Sequence, residues 1–187
     1  VLGIAALDHG DPYLKTERLD IQELLQTVVA DMTLAIQAAK GNVTLHRLAS
    51  PAWIEGDRFH LIRAFKNLID NALKYTDEAP EIHIRMQRQE HAIAVTFEDN
   101  GIGITAQNRE LIFKKFHRIP KGNRHDHKGF GLGLSYVKMI VEDHRGTIRA
   151  FKHSAKKNHR VFCGGLDCLC KQVRWLTACP PQSRARP

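Results

Sequence analysis

The sequence predicts an α+β domain: a two-layer α/β sandwich in which a mixed sheet packs on helices. Three observations carry this. Residues 58–75 form an amphipathic helical pattern, with Leu61, Ile62, Phe65, Leu68, Ile69, Ala72 and Leu73 recurring at spacings of three and four. Two strand-like runs, EIHIRMQRQ and AIAVTFED, are separated only by polar Gln89-Glu90-His91, as in a hairpin. Helices and adjacent strands do not alternate as regular β-α units, which argues against a doubly wound fold.

Taken in chain order, residues 1–9 read as the end of a helix that HGDPY breaks. Residues 20–40 carry Ile21, Leu24, Leu25, Val28, Val29, Met32, Ile36 and Ala39 at helical spacing, with Gly41 as the expected stop. NVTLHRLA alternates like a strand, and WIEGD is a second short extended piece. Asp57 is a suitable N-cap for the 58–75 helix. After the two strands, Thr105 is expected to cap a short helix running to about Phe113. Residues 117–129, HRIPKGNRHDHKG, are polar and have the composition of a mobile loop. A helix is expected from Gly131 to His144, ended by Gly146, and TIRAF then starts a strand. There is no internal repeat.

Composition narrows the classes. At 187 residues and 43% hydrophobic, the chain can bury a core, and wholesale disorder is excluded. No apolar run reaches the ~18–20 residues of a membrane helix. The start, VLGIAALDHG, has no basic segment of a signal peptide and no Met, so a piece of a longer protein is expected. The net charge of +8 is concentrated at one end: residues 151–187 carry 8 Lys/Arg against 1 Asp/Glu, and residues 1–150 carry 20 against 19. A charged tail, rather than a stripe on a folded face, argues against nucleic acid as the main partner; a nucleic-acid role for the tail itself stays as an alternative. Cys163, Cys168, Cys170 and Cys179 all lie in the same tail, where CGGLDCLC has irregular spacing for zinc and no matched second pair.

Three stretches can carry chemistry. In NLIDNALKYT, Asn67, Asn71 and Lys74 fall on one helix face, opposite the apolar one. An amide oxygen there is a hard neutral ligand suited to Mg²⁺ beside phosphates, and Lys74 offers a point charge. Tyr75 offers a ring to a base. A solvated polar face reads equally well from these residues alone. In EDNGIGI, Asp99 at a strand end can accept from an exocyclic amine, and Gly101 and Gly103 leave room for a flat ring; a tight turn is the plainer alternative. GFGLGL runs into a helix whose first N–H groups suit phosphate. A polar loop rather than a strand precedes it, which weakens a dinucleotide-turn reading.

The order of these segments is specific. Asp-x-Gly-x-Gly begins 28 residues after Asn71, and a polar loop and then Gly-x-Gly-x-Gly follow. Over about residues 11–150 the chain resembles the ATP-binding catalytic domain of bacterial two-component sensor histidine kinases, in the superfamily of gyrase, Hsp90 and MutL. NLIDNALKYT resembles the N box, DNGIGI the G1 box, IFKKFHRI the F box and GFGLGL the G2 box. The resemblance implies the Bergerat ATP-binding fold, with ATP and Mg²⁺ as cofactors. It implies that Asn71 ligates Mg²⁺ with Asn67 close by, and that Lys74 and Arg118 contact phosphates. Tyr75 would pack on adenine, Asp99 would accept from its amine, and Gly101, Gly103 and Ile104 would line the base pocket. Phe113 and Phe116 would anchor the ATP lid. Gly129, Gly131 and Gly133 would close it over the triphosphate, with Leu132 and Leu134 beside the base.

The ATP hydrolases of the superfamily place a Glu one turn before the Mg²⁺-binding Asn; here that position is Asn67, an amide that takes no proton at neutral pH. The implied activity is therefore a histidine protein kinase. Its partners would be a separate dimerisation and phosphoacceptor domain, a response regulator, and a second copy of the parent in a homodimer. Relatives imply a cytoplasmic domain of a membrane-anchored bacterial protein. No phosphoacceptor motif is present: His9 lacks the acidic neighbour and the Thr-Pro. The chain alone is thus expected to bind Mg-ATP without phosphorylating itself appreciably. The lid histidines His117, His125 and His127 read as polar loop residues, with a metal site as the alternative. The expected divisions are 1–19, helix end and linker; 20–154, the catalytic domain; and 155–187, an atypical tail that departs from the family's closing strand and resembles shifted-frame or non-native sequence. RVFCGGL is the candidate to replace that strand.

Overall fold

A computed structural model describes residues 14–89, 92–118, 130–151 and, as backbone, Lys152 and 169–175. His9, Gly129, His125, His127, RVFCGGL and Cys163, Cys168 and Cys179 lie outside the described residues.

The chain begins with strand β1 (Glu17–Asp20) and helices α1 (Ile21–Asp31) and α2 (Thr33–Ala38). Strands β2 (Asn42–His46) and β3 (Trp53–Gly56) lead to helix α3 (Arg58–Lys74). Strands β4 (Glu81–Gln89) and β5 (Ala92–Asp99), helix α4 (Gly133–Asp143) and strands β6 (Thr147–Lys152) and β7 (Leu169–Trp175) complete it. The main sheet has the order β2-β4-β5-β7-β6. It is mixed, because β2 runs parallel to β4 while the other pairs are antiparallel. β1 and β3 form a separate antiparallel ribbon.

The sandwich follows from the alternation along β4. Ile82, Ile84 and Met86 are buried against the helices, while His83 and Arg85 lie on the other face. α3 supplies Leu61, Phe65, Leu68 and Ile69 to the same core, and α4 adds Val137, Ile140 and Val141. The Phe65 and Phe97 rings meet at 5.7 Å between centroids.

Several elements differ from the sequence reading. The 20–40 helix is broken at Met32, whose N–H is shared between the carbonyls of Val28 and Val29 at 3.2 Å each. The expected helix from Thr105 is two separate 3₁₀ turns, Ala106–Asn108 and Leu111–Phe113, and Thr105 makes no side-chain cap. The 131–144 helix starts at Gly133. The left-handed residues that end α2 and α4 are Lys40 (φ 53°) and Arg145 (φ 57°), not the following glycines. Gly41 serves close approach instead: a Cβ there would stand 3.1 Å from Pro80 O. β1 had no counterpart in the sequence reading. β7 comes from the tail but lies after RVFCGGL, and it pairs with β5 and β6.

Two buried polar links hold the layers together. Asp20 Oδ1 caps α1 through Gln22 N–H (2.9 Å) and also accepts Ala52 N–H (3.0 Å). His144, at the end of α4, accepts Asp57 N–H on Nε2 (2.8 Å) and donates from Nδ1 to Ile140 O (2.7 Å). Asp57 itself caps α3 by accepting His60 N–H at 3.0 Å. Gly56 makes this approach feasible, since a Cβ there would lie 3.1 Å from the His144 ring.

Candidate functional site

The site grows from the polar face of α3. Seventeen residues of helix bury Leu68, Ile69 and Ala72, and this leaves Asn67, Asp70, Asn71 and Lys74 on the far side. Asn67 and Asn71 are half-buried and Lys74 is exposed. Asn67 Nδ2 donates to Arg63 O at 2.9 Å, which orients its Oδ1 away from the helix backbone. Lys74 is ion-paired with Asp70 one turn back.

Tyr75 caps the end of α3, its N–H bonded to Asn71 O at 3.0 Å. Its carbonyl accepts Ile102 N–H at 2.9 Å, so the loop after β5 is fastened to the helix end. Asp99 is buried, and its Oδ1 accepts Gly101 N–H at 3.0 Å. A Cβ at Gly101 would stand 2.6 Å from Tyr75 O and 2.7 Å from Asp99 Oδ1, closer than real contacts allow. Gly103 takes φ 74°, the left-handed region that favours glycine. Asn100 steadies the loop by accepting Glu81 N–H (2.8 Å) and donating to Ala79 O (3.0 Å).

α4 arrives from the other side. A Cβ at Gly133 would stand 2.9 Å from Asn67 Oδ1 and 3.9 Å from Asn71 Nδ2. The α4 N-terminus therefore lies directly against both asparagines. Among the described residues no side chain caps it, and Leu132 O is occupied by Tyr136 N–H and Ser135 Oγ, each at 2.9 Å. First-turn N–H groups of such an end favour an anion. The two stems of the 119–129 segment are pinned together: Phe116 N–H donates to Gly131 O at 3.1 Å, and both residues have positive φ, 62° and 70°. A Cβ on Gly131 would stand 3.0 Å from the Phe116 carbonyl carbon. Beneath, Ile104, Phe113 and Leu134 pack on Ile112 and Ala150. Arg118 is exposed, as are Tyr75, Phe116 and Phe130.

The structure thus brings together Asn67, Asn71, Tyr75, Asp99, Gly101 and Gly133. It joins Phe113, Ile104 and Leu134 in a second cluster, and Phe116 with Gly131 in a third. The sequence reading missed a shallow, open depression lined by Met32, Arg63, Lys66, Asn67 and Asp70. Arg63 is held there over the rings of Tyr136 (4.9 Å) and Phe59 (5.5 Å). Its signal was a cation one turn ahead of Asn67. Among the described residues, no three His, Cys, Asp or Glu side chains gather closely enough to hold a metal ion. No helix among them is long and apolar enough to cross a membrane.

Comparison with known proteins agrees with this geometry. Residues 56–165 match the family described as histidine kinase-, DNA gyrase B-, and HSP90-like ATPase. Sensor protein RprX of Bacteroides fragilis is 39% identical over 152 residues, 80% of this chain and 29% of that protein. Phytochrome-like protein Cph1 of Synechocystis is 35% identical over 137 residues, 73% of this chain and 18% of that one. The chain therefore spans under a third of the length of these relatives. Among solved structures, a mycobacterial sensor histidine kinase, MprB, superposes with a TM-score of 0.67 at 25% identity, covering 86% of this chain and 96% of that one. The catalytic domain of histidine kinase ThkA, at 21% identity and a TM-score of 0.70, shares the fold over 87% of this chain and 96% of its own. These are Bergerat-type domains, as the resemblance implied. With more than half its length matched, the chain belongs to the histidine kinase-, DNA gyrase B- and HSP90-like ATPase family, as an ATP-binding catalytic domain of the sensor histidine kinase type.

Proposed function

We propose that this domain binds Mg-ATP and donates the γ-phosphoryl group to a histidine on a separate dimerisation domain of its parent protein, for relay to a response regulator. The observation that carries the reading is the approach of Gly133 to the Asn67 amide oxygen and the Asn71 amide nitrogen, which sets the α4 N-terminus beside two neutral amide side chains. The fit to nucleotide rests on the Gly101 cradle. There the absence of a Cβ lets the loop close against Tyr75 O and Asp99 Oδ1, which fixes the buried carboxylate at the end of β5. The fit to magnesium rests on donor chemistry: amide oxygens suit a hard ion whose other positions are water and phosphate.

In this reading Asn71 ligates Mg²⁺ through its amide oxygen, with Asn67 adjacent. Lys74, released from Asp70, and Arg118 engage phosphates. Tyr75 lies along adenine and Asp99 accepts from the exocyclic amine. Gly101, Gly103, Ile104, Leu132 and Leu134 border the base. Phe113 and Phe116 support the lid, and Gly129, Gly131 and Gly133 let its backbone approach the triphosphate. Magnesium, when bound, supplies charge neutralisation for the phosphates. The chain's own part is positioning, which suffices for a loose phosphoryl transfer. Asn67 supplies no general base for water, and Asp70, one residue before Asn71, projects about 100° away from it around the helix. The site therefore holds its nucleotide for an external nucleophile. In the whole protein, a membrane-anchored homodimer would bring that histidine to the cytoplasmic catalytic domain. A solved ThkA structure is described as a complex with response regulator protein TrrA, which supports the same relay here.

Calorimetry tests the binding step. Wild type should give heat on titration with Mg-ATP, and Asp99→Asn should lose it while keeping its melting temperature. Absence of heat for wild type, or unchanged heat for Asp99→Asn, overturns the reading. Transfer of radiolabel to an added dimerisation domain distinguishes a kinase from a binding module. Stoichiometric label on this chain alone would contradict the assignment of an external acceptor.

A further inference from the structure

Away from the nucleotide site, two imidazoles meet on the face of the main sheet opposite the helices. His46 Nε2 and His83 Nδ1 are 3.4 Å apart, with ring centroids 5.6 Å apart and planes tilted by 39°. They come from neighbouring parallel strands: Thr44 is in register with His83, and His46 with Arg85. Side chains two apart on a strand share a face, so His46 and His83 are diagonal neighbours held by a five-residue ladder. Both rings are half-buried.

From this pair we infer a two-histidine site for a divalent transition metal, with zinc as the ion its spacing suits. Two nitrogens bound tetrahedrally at 2.0–2.1 Å lie about 3.3–3.4 Å apart, the separation found here. The spacing is within reach of one tetrahedral ion, and zinc is the ion used to probe it. The facing atoms are competent ligands in one tautomer of each ring, with protons on His46 Nδ1 and His83 Nε2. In that tautomer both facing nitrogens present lone pairs and bind without losing a proton. The opposing charge is offset locally. Arg85, beside His46, is paired with Glu98 at 3.3 Å, and Glu98 lies in register with His83 on β5. Water completes the coordination, because no third His, Cys, Asp or Glu among the described residues is close enough. Such a site is weaker than a closed structural one. It would tie β2, an edge strand with a single sheet partner, to β4.

The test uses the full chain with its cysteines alkylated by iodoacetamide, so that thiols do not compete. Zinc chloride titration should give a stoichiometric step that His46→Gln and His83→Gln each weaken at least about tenfold and that His9→Gln leaves unchanged. Mg-ATP binding should be the same in all four proteins, which shows that the variants are folded. Histidine-selective nitrogen NMR on unmutated protein gives a second measurement: the His46 Nε2 and His83 Nδ1 resonances should move together on adding zinc. If neither resonance moves, or if both variants titrate like wild type, the contact is a plain histidine–histidine hydrogen bond and the inference is wrong.

Discussion

Asn67 Oδ1 sits where a β-carbon on Gly133 would come within 2.9 Å of it, although the two residues are 66 positions apart. The α4 N-terminus can reach the amide only because Gly133 has no side chain. Gly133→Ala should therefore push the Asn67 amide aside and weaken Mg-ATP binding about tenfold or more. The melting temperature should change little, because Gly133 is the first residue of α4, where the helix-interior cost of glycine does not apply, and the half-buried Asn67 side chain can shift. Calorimetry and a thermal melt on the same sample check this. Unchanged affinity would mean that the contact between α4 and Asn67 is irrelevant to the nucleotide.

Gly101→Ala should behave differently. Its β-carbon would collide with the Tyr75 carbonyl, which is backbone fixed by Ile102 N–H, and with the Asp99 carboxylate. Neither can yield cheaply. Both stability and binding should fall, the former by about 1–3 kcal/mol. Urea unfolding measures the first loss and nucleotide titration the second. A variant that unfolds and binds like wild type would remove Gly101 from the cradle.

Asp20→Ala should destabilise the fold without touching the site. The carboxylate satisfies two buried N–H groups, from Gln22 and Ala52, and caps α1. Losing the cap and stranding the donors should cost roughly 2–3 kcal/mol. Asp20→Asn keeps an oxygen acceptor and should recover much of this. The measurement is the urea midpoint of the two variants at unchanged slope.

Acid should weaken the packing of α4 on the start of α3. Burial pushes the His144 pKa below its usual 6.5, and His60 adds to the shift. The Ile140 carbonyl, Asp57 and Asp143 oppose it. The unfolded chain therefore takes the proton first. The contribution of neutral His144 is complete above the unfolded value of about 6.5 and is lost as pH falls toward the lower folded value. A proton on Nε2 would also face the Asp57 N–H that this atom accepts. Melting temperature measured from pH 7.5 to 5 should drop more steeply for wild type than for His144→Gln, a variant that is less stable at pH 7.5. Parallel curves would contradict the assignment.

Much of the fold could be read locally. The three- and four-residue spacing of α3, its Asp57 cap and the two strand-like runs that became β4 and β5 are short-range signals, and the structure has all of them where the sequence put them. Boundaries were less legible. The break at Met32 and the two 3₁₀ turns near Phe113 depend on how neighbouring elements pack, which a periodic pattern does not report. β3 was read as a short extended piece, but its partner β1 was invisible because a four-residue strand carries little pattern on its own.

By itself the sequence determined the chemistry on offer: two amides and a lysine on one helix face, an acid before paired glycines, and a glycine run opening a helix. Each stretch spans only a few residues, so side-chain type and spacing suffice. Only the tertiary structure decided which groups meet. It turned Asp99 Oδ1 back onto Gly101, paired Lys74 with Asp70, set Gly133 against Asn67 and brought His46 to His83. Except for Lys74 with Asp70 and Asp99 with Gly101, these contacts close loops of tens of residues. Their geometry is fixed by core packing and strand register, which no local pattern encodes.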